Sequence, residues 1–220
     1  MIDIWLPTYH RPDRLAAVAR NIEQTTKSDY ILYFGVEPED AVSWEAARAT
    51  GHQVVDNKYE LGYAGTIQSM YEVSSSPFWI HVNDDFEFLP GWDVVPLSMF
   101  DTPSVMVVGV SEQENSGLSA VSMARRSYIE KLSGVIGMPN RVFYPYNHNY
   151  VDTEFTETAK ARGVWAGCNA PCILHKHPGI IGGDKDAIYL KNDATVGIDE
   201  QTYRGREHLW KNYSSEGTEA

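Results

Sequence analysis

A membrane-spanning helix requires an apolar run of about eighteen residues, and the sequence contains none. Its first residues, MIDIWLPTYHRP, also lack the basic and apolar regions of a secretory signal peptide. Both absences argue against an integral membrane protein. They predict a cytoplasmic protein without membrane insertion.

Cysteine is scarce, with Cys168 and Cys172 as the two in the chain. Their C-x3-C spacing has no second pair that would complete a zinc site. Because free cysteine is usually buried, we expect two buried, reduced thiols.

Basic residues are also few: 18 Lys and Arg stand against 30 Asp and Glu, which gives a net charge of -12. This balance argues against a long basic surface that tracks nucleic acid. Two basic groups could still form a local groove, although solvated helix faces are the simpler interpretation. They are Arg125, Arg126 and Lys131, and Arg204, Arg206 and Lys211.

The chain is long enough for one domain with a full core, since 43% of its 220 residues are hydrophobic. Its first part alternates short apolar runs with segments of helical periodicity, which predicts crossover units and a mostly parallel sheet. Strands are expected at 2–6, 30–36, 53–56 and 77–82, and helices at 13–26, 37–51 and 62–73. Asp13 and Gly51 are the expected helix caps.

The second part is less regular, but it contains further candidate elements. We expect strands at 104–111, 118–124 and 172–179, and helices at 125–134 and 152–163. The tail SSEGTEA is expected to be flexible.

Three carboxylates follow the strand at 77–82 within NDDFEF, namely Asp84, Asp85 and Glu87. Ligands of parallel sheets gather at the carboxyl ends of the strands, where this segment falls. Oxygen ligands suit Mg2+ or Mn2+, so a metal site is favoured over a solvated turn.

Two further segments carry candidate functional groups. His175 and His177 alternate along a predicted strand, so both can face one site only if the strand ends between them. Asp152 stands at a helix start, where a carboxylate stays ionised and could act as a general base. Simple helix capping by Asp152 is the alternative.

These motifs occur in the order found in family 2 glycosyltransferases, which residues 2–178 resemble. The resemblance implies an α/β chain with a single GT-A-type domain, in which a Rossmann-like, mixed but mostly parallel sheet is flanked by helices. It implies a nucleotide-sugar-binding half in residues 1–100, an acceptor-side half in residues 101–212 and a tail in residues 213–220.

The resemblance assigns contacts with the nucleotide-sugar donor. Glu37 stands where the family usually has an aspartate that contacts the base or ribose. Gln68 replaces the asparagine of the G-x-A-x-A-R-N turn, Thr66 and Ile67 replace its Ala-Arg, and Asn83 replaces the first aspartate of the D-x-D motif. The implied donor-binding residues are Pro7, Thr8, Arg11, Glu37, Gly62, Gln68, Asn83 and Asp84.

The resemblance also assigns the reacting groups. Asp85 would be the principal metal ligand, with His175 preferred to His177 as a second one. Asp152 matches the catalytic-base position, and Glu154 matches the acidic position that follows it.

These assignments imply a Mn2+- or Mg2+-dependent glycosyltransferase that moves a hexose or pentose from a UDP-sugar to an acceptor hydroxyl, with inversion. The implied acceptor is soluble: a glycan, a protein or a hydroxylated base in modified viral DNA.

Three other functions are the alternatives to a glycosyltransferase. A nucleotidyltransferase is expected to have a Gly-rich loop with a basic residue after the first strand, and PTYHRPD has no glycine. A metal-dependent hydrolase is the next alternative. The departures at Asn83 and Gln68 also allow a nucleotide-sugar-binding module without activity.

Overall fold

A computed structural model describes residues 1–59, 62–110 and 121–213. Its centre is a seven-stranded sheet with the order β3-β2-β1-β4-β7-β6-β8, in which β7 runs antiparallel to the others, and β5 pairs with β9 in a separate antiparallel ribbon. The strands are β1 (Ile2–Thr8), β2 (Tyr30–Val36), β3 (Gln53–Asp56), β4 (Phe78–His81), β5 (Phe86–Phe88), β6 (Val107–Gly109), β7 (Ser122–Arg125), β8 (Trp165–Gly167) and β9 (Ile173–His175).

Helices cover both faces of the sheet, and a 3-10 helix spans Met99–Asp101. The α-helices are α1 (Pro12–Thr25), α2 (Ala41–Ala49), α3 (Tyr63–Val73), α4 (Val94–Ser98), α5 (Arg126–Leu132), α6 (Val151–Ala161), α7 (Pro178–Ile181), α8 (Ala187–Arg206) and α9 (His208–Lys211).

The side-chain alternation of β1 explains the two core layers. Ile2, Ile4 and Leu6 pack into the layer that contains α1, whereas Trp5 points to the opposite layer with α3. There its ring stacks on Trp79 with 4.6 Å between ring centroids. A strand apolar on both faces is typical of the interior of a parallel sheet.

The predicted elements of the first part are confirmed, with corrections at their ends. β1 continues through Thr8 instead of ending at residue 6. Because α1 begins at Pro12, Asp13 lies in its first turn and is not the cap. Gly51 follows α2 with a φ of 82°, as expected for a glycine after a helix end.

The chain contains elements that the sequence analysis missed, notably β5 in the first part and β8 and α8 in the second. The expected strand at 172–179 ends at His175, and α7 begins three residues later. Residues 111–120, which hold the start of the strand expected at 118–124, and most of the predicted tail, 214–220, lie outside the described residues. The division into halves at residue 100 stays a prediction.

Of the six basic residues expected on solvated helix faces or in a groove, Lys131, Arg204 and Lys211 are exposed, as the solvated-face interpretation predicts, whereas the other three bind internal partners. Arg125 donates to the carbonyl oxygens of Val105 and Phe100, and Arg126 donates to that of Tyr71. Within the described ranges, no helix is long and apolar enough to cross a membrane.

Gly35 in β2 allows α3 to pack directly on the sheet. A Cβ atom there would lie 2.4 Å from Thr66 Cγ2 and 2.8 Å from Met70 Cε, both on α3. We expect Gly35→Ala to lower the free energy of unfolding by about 1–3 kcal/mol, because such overpacking displaces side chains and backbone. Urea unfolding followed by circular dichroism measures this.

Gly205→Ala is the matched control, because a Cβ atom there meets nothing within 4 Å. A helical alanine should stabilise the protein by about 0.5–1 kcal/mol relative to glycine. Equal stability of Gly35→Ala and the wild type would contradict the close approach of α3 and β2.

Candidate active site

A cavity of about 340 Å³ lies at the carboxyl ends of β1, β2 and β4, closed on its other side by α6 and α8. This is the edge where an α/β sheet is expected to bind ligands. Ten of the eleven residues proposed from the sequence line it. They are Pro7, Thr8, Arg11, Glu37, Gly62, Asn83, Asp84, Asp85, Asp152 and His175.

Gln68 is the exception, since it does not line the cavity. Its side chain is buried, its Nε2 donates to the Asn140 carbonyl at 3.1 Å, and its Oε1 accepts from the Val142 amide at 3.1 Å. The prediction that Gln68 contacts the donor is therefore wrong. Its side-chain amide instead forms hydrogen bonds that connect α3 to the segment before α6.

Asp85 and His175 meet because β5 and β9 pair. Their register places His175 opposite Phe86, so the preceding Asp85 lies beside the imidazole. Asp85 Oδ2 is 3.3 Å from His175 Nε2 and accepts from the Tyr189 hydroxyl at 2.8 Å. Burial raises the pKa of Asp85, but the hydrogen bonds from His175 and Tyr189 outweigh it and hold that pKa below its usual value.

The other oxygen of Asp85 is buried and has no hydrogen-bond partner within residues 1–59, 62–110 and 121–213. Asp85 and His175 thus place a carboxylate and an imidazole side by side at the cavity wall. The same described ranges contain no group of three His, Cys, Asp or Glu residues arranged as a metal site. The pair therefore offers two ligands to a cation, and substrate oxygens would be suitable further ligands.

Asp84 faces a different set of partners. Arg11 Nη1 lies 2.9 Å and Arg14 Nη1 lies 3.4 Å from its Oδ1, and both arginines also bind Asp186 at the start of α8. Burial raises the pKa of Asp84 to about 6 even though Arg11 opposes the shift. Arg11, expected to contact the donor, thus lines the cavity with its guanidinium held between two carboxylates.

The strand ends between the two histidines, so both line the cavity. His177 follows β9 and precedes α7, where its Nδ1 accepts from the Gly179 amide at 3.0 Å. The proximity of His175 to Asp85 favours His175 as the metal ligand.

Glu37 lies in the cavity wall, but its carboxylate is already hydrogen bonded. One oxygen accepts from the Gly62 amide at 2.9 Å and the Thr66 hydroxyl at 3.2 Å, and the other accepts from Asn57 Nδ2 at 2.9 Å. Glu37 therefore holds the start of α3 in place at this edge.

Asp152 stands in the first turn of α6, and Tyr150, with a φ of 68°, occupies the N-cap position. Capping by Asp152 is therefore not observed, and its Oδ1 accepts from the adjacent Thr153 amide at 2.8 Å. Glu154 is 2% exposed and receives two hydrogen bonds from Arg206, at 2.7 and 2.9 Å. Glu154 is thus a structural anchor for α8.

The cavity also contains residues that the sequence analysis missed, contributed by α3, β4, α8 and the segment before α6. Asp199 of α8 positions that segment by accepting hydrogen bonds from the backbone amides of residues 147–149. No periodic or motif signal identified this helix or its partners. The missed residues include Tyr63, His81, His148, Asn149, Tyr189 and Lys191.

No family model matches the chain, and no curated protein matches it. Solved structures of glucosyl-3-phosphoglycerate synthase from Mycobacterium tuberculosis do. The complex with Mn2+, UDP-glucose and glycerol 3-phosphate aligns with a TM-score of 0.66 at 12% identity, over 99% of this chain and 82% of that chain. The complex with Mg2+ and UDP aligns with a TM-score of 0.60 at 13% identity, over 86% of this chain and 74% of that chain. The expected GT-A-like fold is confirmed.

His81, at the end of β4, makes stability depend on pH. Burial lowers its pKa from 6.5 to about 3, so between these values the unfolded chain binds a proton that the folded protein excludes. The free energy of unfolding is therefore unaffected by the His81 titration above about pH 6.5. Below that pH, the titration lowers it by up to about 1.4 kcal/mol per pH unit. Urea unfolding from about pH 7.5 to about pH 4.5 measures it.

The control is His81→Asn, in which this titration is absent while other groups titrate as before. The stability difference between the wild type and the variant should shrink as the pH falls. A difference that stays constant over this range would contradict a neutral, buried His81.

Proposed function

We infer that the chain is a metal-dependent glycosyltransferase that transfers a sugar from a UDP-sugar to an acceptor hydroxyl. The observation that carries this inference is the Asp85–His175 pair, with its unpartnered buried oxygen, at the carboxyl end of β4 in a GT-A-like fold. The similar synthase structures contain Mn2+ or Mg2+ and UDP or UDP-glucose, which supports the same ligand class here.

Asp85 and His175 would hold Mn2+ or Mg2+. When bound, the cation would neutralise charge that develops on the leaving diphosphate. Gly62 and the ends of β1 and β2 line the cavity and would face the donor. Thr8 adds a buried hydroxyl oxygen with no hydrogen-bond partner in the described structure, which suits a polar contact to the nucleotide.

Asp152 would act as the general base. Its carboxylate lines the same cavity and stands in the first turn of α6, where the helix dipole favours the ionised form. It would accept the proton of the acceptor hydroxyl while that oxygen attacks the anomeric carbon and the bond to the diphosphate breaks. A single displacement of this kind inverts the anomeric configuration.

The acceptor hydroxyl would belong to a glycan, a protein or a hydroxylated base in modified viral DNA. The net charge of -12 disfavours long contacts with a DNA backbone.

Asp85→Asn should reduce the affinity for UDP in the presence of Mn2+ by about tenfold or more, because the amide lacks the charge that binds the cation. Isothermal calorimetry with and without Mn2+ measures this. Glu87→Gln makes the same change two residues away, on an exposed side chain that pairs with Lys176 outside the cavity. It should leave the affinity unchanged, and equal affinities of wild type and Asp85→Asn would refute the metal assignment.

Asp152→Asn should lower turnover by about 10²–10⁴-fold while UDP affinity stays within about twofold of the wild type, because only proton transfer is lost. Turnover is measured as release of UDP from UDP- and GDP-sugars, with mass spectrometry of offered glycan, protein and hydroxymethylated DNA acceptors. Mn2+-dependent binding without transfer or hydrolysis would identify a binding module instead. Sugar release to water alone would identify a hydrolase.

A further inference from the structure

Tyr63 is the first residue of α3 and lines the cavity. Its hydroxyl oxygen lies 2.8 Å from His81 Nδ1. Its ring stacks on Phe143 and meets His148 edge-on, with centroids 6.2 and 5.9 Å apart. These contacts fix the phenol ring, so its hydroxyl has a defined place.

The direction of the Tyr63–His81 hydrogen bond follows from the other imidazole nitrogen. The backbone amide of Ser122, which can only donate, lies 3.2 Å from His81 Nε2. Nε2 is therefore the acceptor, and the hydrogen of the neutral imidazole is on Nδ1. His81 is 1% exposed, which favours this neutral form.

The Nδ1 hydrogen must therefore be donated to the Tyr63 oxygen. The hydroxyl hydrogen of Tyr63 is then directed away from His81. Among the described residues, His81 is the single hydrogen-bond partner of this hydroxyl, so none of them accepts its hydrogen, which is available to a ligand in the cavity.

Tyr63 keeps this hydrogen at neutral pH, as tyrosine ordinarily does. Burial first, and then the charges of Asp152 and Asp85, raise the pKa of Tyr63 well above its usual value. Tyr63, Asp85 and Asp152 line the same cavity. In the proposed function, Asp85 is on the diphosphate side and Asp152 on the acceptor side.

We propose that Tyr63 contacts the substrate by donating a hydrogen bond to an oxygen at the sugar end of the bound nucleotide sugar, and that His81 positions it. The acceptor is a sugar hydroxyl or the oxygen that joins sugar and phosphate. This role rests on the proposed function, because it needs a nucleotide sugar between Asp85 and Asp152.

Tyr63→Phe tests the contact, because it removes the hydroxyl and retains the ring. In Mn2+, the affinity for the UDP-sugar that the wild type binds most tightly should fall about two- to tenfold, as for the loss of one neutral hydrogen bond. UDP itself should bind within about twofold of the wild type. Calorimetry of both ligands measures this difference.

Tyr71→Phe is the control, because Tyr71 is a buried tyrosine of the same helix that does not line the cavity. It should change neither affinity. An unchanged UDP-sugar affinity in Tyr63→Phe would overturn the proposal, and equal losses for UDP and the UDP-sugar would overturn the placement at the sugar end. A wild type that binds neither ligand would instead refute the proposed function, and the Tyr63 role with it.

The positioning role of His81 has its own tests. His81→Asn places an amide near Nδ1, so it can donate to Tyr63 and should retain more UDP-sugar affinity than His81→Leu. Nitrogen-15 NMR of the ligand-free wild type, which needs no substrate, should show His81 protonated at Nδ1. Protonation at Nε2, or equal affinities in the two variants, would contradict the positioning role.

Discussion

Repulsion between the adjacent carboxylates of Asp84 and Asp85 is the constraint around which the cavity is built. Two buried acids at a strand end are costly unless each one meets a positive or hydrogen-bonding partner. Asp84 meets Arg11 and Arg14, whereas Asp85 meets His175 and the Tyr189 hydroxyl. Satisfying the pair therefore draws together α1, β9 and α8, and these elements enclose the space in which a substrate would bind.

Polar anchors, rather than an apolar stripe, hold α8 over this edge. Of its twenty residues, Tyr189 and Asp199 are the buried ones. Asp199 accepts hydrogen bonds from backbone amides of the segment before α6. Arg206, at the end of α8, forms an ion pair with buried Glu154. Hydrophobic periodicity cannot reveal a helix that packs in this way, which explains why the sequence analysis missed it.

Much of the site could still be predicted, because the carboxyl ends of parallel strands share one edge of the sheet. Pro7 lies at the end of one such strand, and Glu37 and Asp85 follow two others, so their proximity follows from the topology alone. Gln68 was misplaced because it lies in the second turn of α3, where its side chain faces a neighbouring segment instead of the sheet edge. Helical phase, and not position in a motif, decided its partners.

The sequence by itself determined the α/β architecture and the edge where acidic and glycine-rich segments gather, because alternating strand and helix patterns allow few arrangements. The GT-A-like form of that architecture was implied by the resemblance of its motifs to a known family. The tertiary structure alone decided which carboxylate meets a histidine, which acid anchors a helix, and which nitrogen of His81 carries its hydrogen. Those outcomes depend on contacts between residues far apart in the chain, such as Asp85 with Tyr189 and Arg11 with Asp186. Local patterns carry no information about such distances, because they are set by strand register and helix packing.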